Sequence, residues 1–413
     1  MGQVATMDVR IVSTDELMQR VQRATALMRE QQLDGLIATG DFSAAMNYFY
    51  LSGHLPRDYQ SNFSRPHCMV LTSDGQAALL VYGVNAENAR GMSWVSNIYT
   101  YAPPFSGNAL VTVLRQMGLT SGRIGAELGT DSRLWMPYQA FRQIEEALPE
   151  AAFVDASRLF WQLRQIKSAA EIALIRYADE INGRALTRMF ADLRPGATEH
   201  EVMTRTAAYL IEEGANRPPH TQVLVVSAAK ARSMGHRSRM LGPTQHTLEP
   251  GDTLFVDSGA IYQGYWGEFN RMGIVGPPTT RQLENHRKIR EIVQRSISEG
   301  IKPGVSFRRV MEHMVSLYQE LGLAPEQYAR YTGQPFMHLC HGIGLNGSEP
   351  PFVRMDSDEL LQPGMVMSVE AYLEDEGIMY GSEEDVVVTS DGVEILSEID
   401  TGLYIIGTTE RAG

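Results

Sequence analysis

Two carboxylates lie within strand-forming segments in the second half of the chain, and this feature constrains the fold most. Asp257 follows the apolar run TLFV, and Glu370 ends the run MVMSVE, in which apolar residues alternate. Both segments predict strands that carry a carboxylate towards a core. Because an unpaired buried charge costs too much free energy, each carboxylate needs a partner there. A metal ion is the obvious partner.

Three further residues can complete such a site: Glu268 in GYWGEFNR, His341 in CHGIG and Glu383 in GSEED. Together with the first two, they supply enough donors for two divalent cations that share bridging carboxylates. Ligation rich in oxygen favours Mn or Mg over metals that prefer thiolates, and Zn, Co and Fe remain alternatives.

Three of these five residues also have an ordinary structural explanation. Asp257 would be a turn residue before Gly259. Glu383 would belong to a solvated acidic face, and His341 would be a buried core histidine. The five residues lie far apart in the sequence and converge only through the fold, so their spacing alone does not separate these explanations.

The first part of the chain predicts an α/β domain, because helical and strand patterns alternate there. The segment NYFYLSG (47–53) is expected to be one of its short strands. A long helical pattern over 159–193 joins this domain to the rest. We place the boundary near residue 160, which gives domains of residues 1–160 and 161–413.

Beyond the boundary, strands and helices do not strictly alternate, which predicts an α+β fold. Helices are expected at 199–214, 281–299 and 306–322, and strands at 223–227, 253–259, 365–371 and 385–389.

Charge and composition exclude several classes of protein. Acidic residues outnumber basic ones by 49 to 36, so the chain lacks the basic field that holds a nucleic acid. Its hydrophobic fraction of 43% excludes a disordered protein. No apolar run approaches the ~20 residues of a membrane helix, and the start lacks a signal-peptide profile. With only Cys68 and Cys340, we expect a cytoplasmic protein with no nucleic-acid or membrane partner.

The residues resemble, over almost the whole chain, the superfamily of creatinase, prolidase, aminopeptidase P and methionine aminopeptidase. That family has an Asp in D-x-G, an acid eleven positions on, a His in H-G-x-G, a Glu after G-M-V and a Glu before a valine-rich strand. This pattern is met at Asp257, Glu268, His341, Glu370 and Glu383. The resemblance implies an N-terminal creatinase-like α/β domain and a C-terminal "pita-bread" catalytic domain of α+β type.

The resemblance further implies a site with two divalent metal ions, manganese being favoured. Asp257 would bind one metal, and His341 and Glu370 the other. Glu268 and Glu383 would bridge the two. A bridging hydroxide would be the nucleophile, because two cations lower the pKa of a shared water and stabilise the oxyanion. Glu370 would shuttle the proton.

Several positions depart from the peptidase pattern. Glu268 stands where peptidases have Asp, and its extra methylene displaces the carboxylate by ~1.5 Å, where a productive site tolerates about 0.5 Å. Ser348 and Gly381 replace a substrate-contacting His and an Arg. Glu383 is chosen over Glu384 as the last ligand because family members read E-x-x-V-x-V-T.

Three residues are candidates for substrate binding. His236 in SMGHRSR matches a substrate-binding and catalytic His of the family, which donates to a carbonyl or an oxyanion; its alternative is an exposed loop histidine. Phe63 and Arg65 in NFSRPHCMV match the F-x-R-P of creatinase. There, the resemblance implies, they reach into the neighbouring subunit of a homodimer, where Arg binds the carboxylate of a small substrate. The alternative for Arg65 is a surface salt bridge.

We therefore expect a metal-dependent hydrolase of a C–N bond. It would resemble Xaa-Pro aminopeptidase or prolidase, or hydrolyse an amide in a small carboxylated substrate. The alternatives are a metal-free creatinase-like amidinohydrolase, an inert interaction module, and a lyase on a small charged acid. Ala371 and EDEG (374–377) are similar to the dimethylsulfoniopropionate lyase branch. The presence of all five ligand-type residues argues against the metal-free and inert alternatives.

Overall fold

The computed structural model describes residues 11–41, 46–56, 64–129, 132–216, 224–227, 243–324, 326–328, 339–406 and 411–412. The chain forms two compact units, Met1–Arg164 and Gln165–Gly413. In the described part of the chain, no helix combines the length and the apolar character needed to cross a membrane.

The first unit is built on a six-stranded mixed sheet with the order β4-β3-β2-β1-β5-β6. Its strands are β1 (Gly35–Gly40), β2 (His67–Thr72), β3 (Ala77–Tyr82), β4 (Ile98–Tyr101), β5 (Ser121–Ala126) and β6 (Glu150–Asp155). Its helices are α1 (Thr14–Glu30), α2 (Met46–Ser52), α3 (Ala86–Met92), α4 (Gly107–Gln116), α5 (Tyr138–Ala147) and α6 (Ser157–Gln165). The predicted α/β class is confirmed.

The segment NYFYLSG was predicted to be a strand, and this prediction was wrong, because the segment forms α2. Every residue from Asn47 to Ser52 is buried, so the segment shows neither a period of two nor one of 3.6. Its aromatic residues, which favour strands, fill the core from a helix instead. Gly53, with a φ of 72°, ends the helix in the left-handed conformation that glycine adopts without strain.

The second unit contains two five-stranded sheets, ordered β11-β10-β12-β13-β14 and β16-β15-β9-β8-β7. Its strands are β7 (Leu224–Ser227), β8 (Thr253–Tyr262), β9 (Tyr265–Ile274), β10 (Cys340–Gly342), β11 (Glu349–Phe352), β12 (Val366–Asp375), β13 (Ile378–Val388), β14 (Val393–Ile395), β15 (Leu403–Ile405) and β16 (Arg411–Ala412). Its helices are α7 (Ala169–Asp192), α8 (Glu199–Glu212), α9 (Thr280–Arg295) and α10 (Phe307–Glu320).

Two long hairpins form the centre of this unit. The β8–β9 loop has only Gln263 and Gly264, with φ of 51° and 89°. The β12–β13 loop has only Glu376 and Gly377, with φ of 50° and 73°. Two-residue loops with positive φ match the twist of the flanking strands, so they fix the register of each hairpin. The second hairpin makes β13 begin at residue 378, earlier than the predicted strand at 385–389.

Each sheet of the second unit is covered by helices on one face. One core packs α7 and α8 against β8 and β9, and another packs α9 and α10 against β12 and β13. A hydrogen bond from the Glu268 amide to Asp385 Oδ2, 3.0 Å long, joins β9 to β13. The faces without helices are therefore turned towards each other, and the predicted α+β pita-bread architecture is confirmed.

A buried carboxyl group in the first unit couples its stability to pH. Glu127 accepts hydrogen bonds from Asn47 Nδ2 at 2.6 Å and from the Thr39 amide at 3.4 Å. Burial raises the pKa of Glu127 from 4.5 to about 7. Between these values the unfolded chain releases the proton and the folded chain keeps it. Rising pH therefore lowers the free energy of unfolding by up to about 1.4 kcal/mol per unit.

We expect Glu127→Gln to remove this pH dependence, because glutamine does not ionise. The free energy of unfolding of the variant, relative to the wild type, should rise between pH 5 and pH 6.5. Urea unfolding at several pH values measures it, and Glu150→Gln, at an exposed position of β6, is the control. A difference between variant and wild type that stays constant over this range would contradict the assignment.

Candidate metal centre

Asp257 and Glu268 are diagonal neighbours on one face of the β8–β9 hairpin. Asp257 lies opposite Asn270 in the strand register, and Glu268 lies opposite Gly259. Side chains that are opposite each other or two residues apart share a face of a sheet. Phe269, which points to the other face, packs in the core with α7. Both carboxylates therefore face the second sheet.

The other three predicted ligands come from that second sheet. Glu370 on β12 lies directly opposite Glu383 on β13. His341 on β10 lies opposite Ser368, two residues before Glu370, so it shares their face. The structure thus brings all five residues to the space between the two hairpins.

Distances within the cluster match the size of a metal ion. His341 Nε2 lies 3.7 Å from Glu268 Oε1 and 3.9 Å from Glu370 Oε1. Two ligands with bonds of about 2.1 Å to one ion are separated by at most about 4.2 Å. Ligand atoms of Glu268, His341 and Glu383 all lie within 4.8 Å of one another. These three residues form a possible carboxylate and histidine metal site.

The electrostatics of the cluster favour a cation. Burial raises the pKa of Glu268 and of Glu383 well above the usual value, and the negative charges of Asp257 and Glu370 raise both further. Burial and repulsion thus disfavour the charged forms of both carboxylates. A bound cation would stabilise their charged forms, so the oxygen-rich donor set fits a divalent metal.

The imidazole of His341 is oriented as a ligand. Its Nδ1 lies 3.1 Å from the carbonyl oxygen of Gly342. Because a carbonyl only accepts, Nδ1 carries the hydrogen and Nε2 presents a lone pair to the space between Glu268 and Glu370, where a cation could accept it. Burial lowers the pKa of His341, which keeps the ring neutral.

Glu383 and Glu384 point to opposite faces of β13. Glu383 accepts hydrogen bonds from Ser368 Oγ at 2.6 Å and Asn270 Nδ2 at 2.7 Å, inside the cluster. Glu384 forms an ion pair with Arg271 Nη2, with distances of 3.0 and 3.1 Å to its two oxygens. The structure therefore groups Glu383, and not Glu384, with the other candidate ligands.

The loop after His341 accommodates the longer side chain of Glu268. A Cβ added at Gly347 would lie 2.8 Å from Glu268 Oε2, which is too close for any real side chain. A buried ion pair of 3.1 Å between Lys167 Nζ and Glu349 Oε1 anchors the end of this loop. The absence of a side chain at Gly347 thus leaves room for the displaced carboxylate of Glu268.

Two buried acids that the sequence analysis missed, Asp179 and Asp385, lie next to the backbone of Glu268. Asp385 accepts from the Glu268 amide. Burial, and after it the charge of the neighbouring Asp385, raise the pKa of Asp179 well above the usual value, which favours the protonated form of Asp179 beside Asp385. One sequence signal was available: Asp179 lies four residues after the buried Ile175, on the buried stripe of α7.

Only one of the three candidate substrate-binding residues lies in the described part of the structure. Phe63 and His236 lie outside the described residues. Arg65, in the first unit, is 9% exposed, and its guanidinium carbon lies 5.0 Å from the centre of the Tyr82 ring. This contact stabilises the guanidinium on the N-terminal domain itself.

Comparisons with known proteins agree with this geometry. Residues 173–390 match metallopeptidase family M24, and residues 20–166 match the creatinase/prolidase N-terminal domain. The Xaa-Pro dipeptidase of Lactobacillus helveticus is 26% identical over 366 residues, which are 86% of this chain and 94% of that protein.

Solved structures show the same fold. The Xaa-Pro dipeptidase of Bacillus anthracis has a TM-score of 0.78 and 24% identity, covering 94% of this chain and 100% of its own. The X-Pro aminopeptidase of Thermotoga maritima has a TM-score of 0.77 and 22% identity, with 94% and 99% covered. The predicted two-domain architecture and the predicted class of metallopeptidase-type hydrolase are confirmed. The chain belongs to metallopeptidase family M24, in the form that carries a creatinase/prolidase N-terminal domain.

Proposed function

We propose that this protein hydrolyses the C–N bond of an Xaa-Pro peptide or of a related small carboxylated amide, with two divalent metal ions. The observation that carries the proposal is the convergence of Glu268, His341 and Glu383 on one buried point, next to Glu370. Relatives that are named Xaa-Pro dipeptidases support the peptide substrate.

Five residues would hold the metals. We assign Asp257 to one ion, His341 and Glu370 to the other, and Glu268 and Glu383 to both. The predominance of oxygen donors supports manganese, with Zn, Co or Fe as alternatives. When bound, the ions would supply Lewis acidity, lowering the pKa of a water and offsetting negative charge that develops on the attacked carbonyl oxygen.

The residues of the chain would orient the ligands and move the proton. Ser368 and Asn270 each donate to one oxygen of Glu383, which fixes its carboxylate plane. The Gly342 carbonyl fixes the tautomer of His341. Glu370 would take the proton from the attacking water and deliver it to the leaving nitrogen. His236 would donate a hydrogen bond to the carbonyl oxygen.

Substrate binding is proposed to involve the N-terminal domain. The substitution of the peptidase His by Ser348 and of the peptidase Arg by Gly381 removes two polar contacts from the catalytic domain. We assign substrate binding to Phe63 and Arg65, supplied by the partner subunit of a homodimer, with Arg65 binding the substrate carboxylate. We further propose that residues 1–160 and 161–413 are the functional domains.

The metal assignment predicts that Glu383→Gln affects the stability of the protein in opposite directions with and without metal. The variant removes one of several crowded carboxylates, so without metal it should be at least as stable as the wild type. Adding Mn²⁺ should stabilise the wild type, by about 2.7 kcal/mol at 100 times the dissociation constant, but not the variant. Thermal unfolding with and without Mn²⁺ measures this.

The control for that experiment is Glu394→Gln, at an exposed position of β14. It should keep the full stabilisation by Mn²⁺. Equal stabilisation of wild type and Glu383→Gln would contradict the role of Glu383. A wild type that binds no Mn²⁺, Zn²⁺, Co²⁺ or Fe²⁺ would contradict the metal-dependent function itself.

The contact between Glu268 and Gly347 predicts that Gly347→Ala weakens metal binding. The new Cβ would push Glu268 Oε2, the mobile end of its side chain, away from the position in which it would hold a metal, and we expect the affinity for Mn²⁺ to fall by about tenfold, or about 1.4 kcal/mol. Isothermal titration with Mn²⁺ measures the affinity. Gly392→Ala is the control, because its Cβ would meet only Thr389 Oγ1 at 4.0 Å. Unchanged affinity in Gly347→Ala would exclude Glu268 as a ligand in this position.

The substrate assignment predicts that Arg65→Ala weakens substrate binding and leaves metal content unchanged. Loss of a charge-assisted bond should cost ~1.5–3 kcal/mol, or about tenfold to a hundredfold in KM. Kinetics on Xaa-Pro dipeptides, creatine, cyclic amides and sulfonium acids identify the substrate, with the exposed Arg142→Ala as control. Full activity of Arg65→Ala, or of a monomer in sedimentation, would exclude the contribution from the partner.

A further inference from the structure

A tyrosine that the proposed chemistry does not yet use contacts the candidate proton shuttle. Tyr372 lies two residues after Glu370 on β12, so the two side chains share the face of the metal centre. The Tyr372 hydroxyl donates a hydrogen bond to Glu370 Oε2. Tyr372 is only 1% exposed, so solvent does not compete effectively for this bond.

The ring of Tyr372 occupies space that its neighbour on β13 leaves open. Its cross-strand partner is Gly381, the position where peptidases have an arginine. A Cβ at Gly381 would lie 3.0 Å from two ring carbons of Tyr372 and 2.5 Å from Phe255 Cε2. Any side chain at this position would displace one of the two rings. The ring of Tyr372 can therefore take this position only because residue 381 is a glycine.

The backbone of Tyr372 is also held in place. The Tyr318 hydroxyl accepts a hydrogen bond from the Tyr372 amide and donates one to the Tyr372 carbonyl, both 3.0 Å long. The Tyr318 ring stacks on Tyr328 with a distance of 4.4 Å between the ring centres. With backbone and ring both fixed, the Tyr372 hydroxyl is positioned before any metal or substrate binds.

We propose that Tyr372 is a positioning residue that selects which oxygen of Glu370 binds metal. Its hydroxyl occupies Oε2 and leaves Oε1, which lies 3.9 Å from His341 Nε2, for the metal. Glu370 is thereby restricted to binding through one oxygen. This inference rests on the proposed function, because it assumes that Glu370 is a metal ligand.

The test is Tyr372→Phe in the full-length protein, which keeps the ring and removes only the hydroxyl. Mn²⁺ alone, without substrate, should bind with the same stoichiometry and about tenfold to a hundredfold more weakly, because Glu370 loses the hydrogen bond that holds its carboxylate in the orientation for binding. The visible absorption of bound Co²⁺, which reports coordination geometry, should change because both oxygens of Glu370 become available. A residue that only fills space would change neither property.

Two further variants make the test specific. Tyr380→Phe removes a buried hydroxyl from the same hairpin, at a position paired with Leu373, and should bind both metals as the wild type does. In Glu370→Gln, adding Tyr372→Phe should weaken Mn²⁺ binding further by less than twofold, because the two residues act as a pair.

The outcomes separate this inference from the proposed function. If the wild type binds Mn²⁺ and Co²⁺, and Tyr372→Phe matches its affinity and spectrum, the positioning role is wrong. Additive effects of the two substitutions would also exclude action through Glu370. If the wild type itself binds none of Mn²⁺, Zn²⁺, Co²⁺ and Fe²⁺, the proposed function fails.

Discussion

Crowding of carboxylates between two facing hairpins is the constraint on which the rest of the catalytic unit depends. Glu268 and Glu383 are each buried among other acids, and burial with mutual repulsion raises the pKa of both. Such a cluster costs free energy unless positive charge or donors compensate it. The Ser368 hydroxyl and the Asn270 amide donate to Glu383, and they orient the carboxylate without neutralising it. The remaining negative charge is what a metal would bind.

Side chains alternate along β13, so that one of two adjacent acids can bind a metal while the other stabilises the fold. Glu383 faces the cluster, whereas the adjacent Glu384 faces the other side of the sheet and is paired with Arg271. Arg271 also donates to the carbonyl oxygens of Asn270 and Glu383, each at 2.8 Å, so one guanidinium joins β9 to β13. The compensated acid thus holds the two hairpins together, and the uncompensated one remains available as a ligand.

The sequence predicted features that depend on local periodicity or on family spacing. The apolar run before Asp257 and the alternating run that ends at Glu370 predicted strands that carry carboxylates inward, and β8 and β12 do so. It did not predict α2, because complete burial removes the periodicity that distinguishes helix from strand. The sequence analysis also did not recognise Glu376 and Gly377 as a two-residue hairpin loop. It therefore predicted a strand that begins at residue 385, whereas β13 begins at residue 378.

The contacts that adapt the site are of a different kind, because they join residues distant in the chain. Gly347 matters only because its loop passes over Glu268, and Asp179 only because α7 packs directly against Gly267. A Cβ at Gly267 would lie 2.4 Å from the Asp179 amide nitrogen. No local pattern encodes these distances, so they had to come from the three-dimensional structure.

Two departures from the peptidase pattern are explained by packing, because in each case a larger side chain lies against a glycine. Glu268 is longer than the expected Asp, and it extends towards Gly347. Gly381 is smaller than the expected Arg, and the rings of Tyr372 and Phe255 fill that space. In both cases a glycine compensates for a larger neighbour, as dense packing requires. The second exchange also replaces a cation by a neutral phenol, which makes the centre more negative. A carboxylated substrate would therefore need a positive charge from outside the centre, and this requirement is the physical reason for assigning its carboxylate to Arg65.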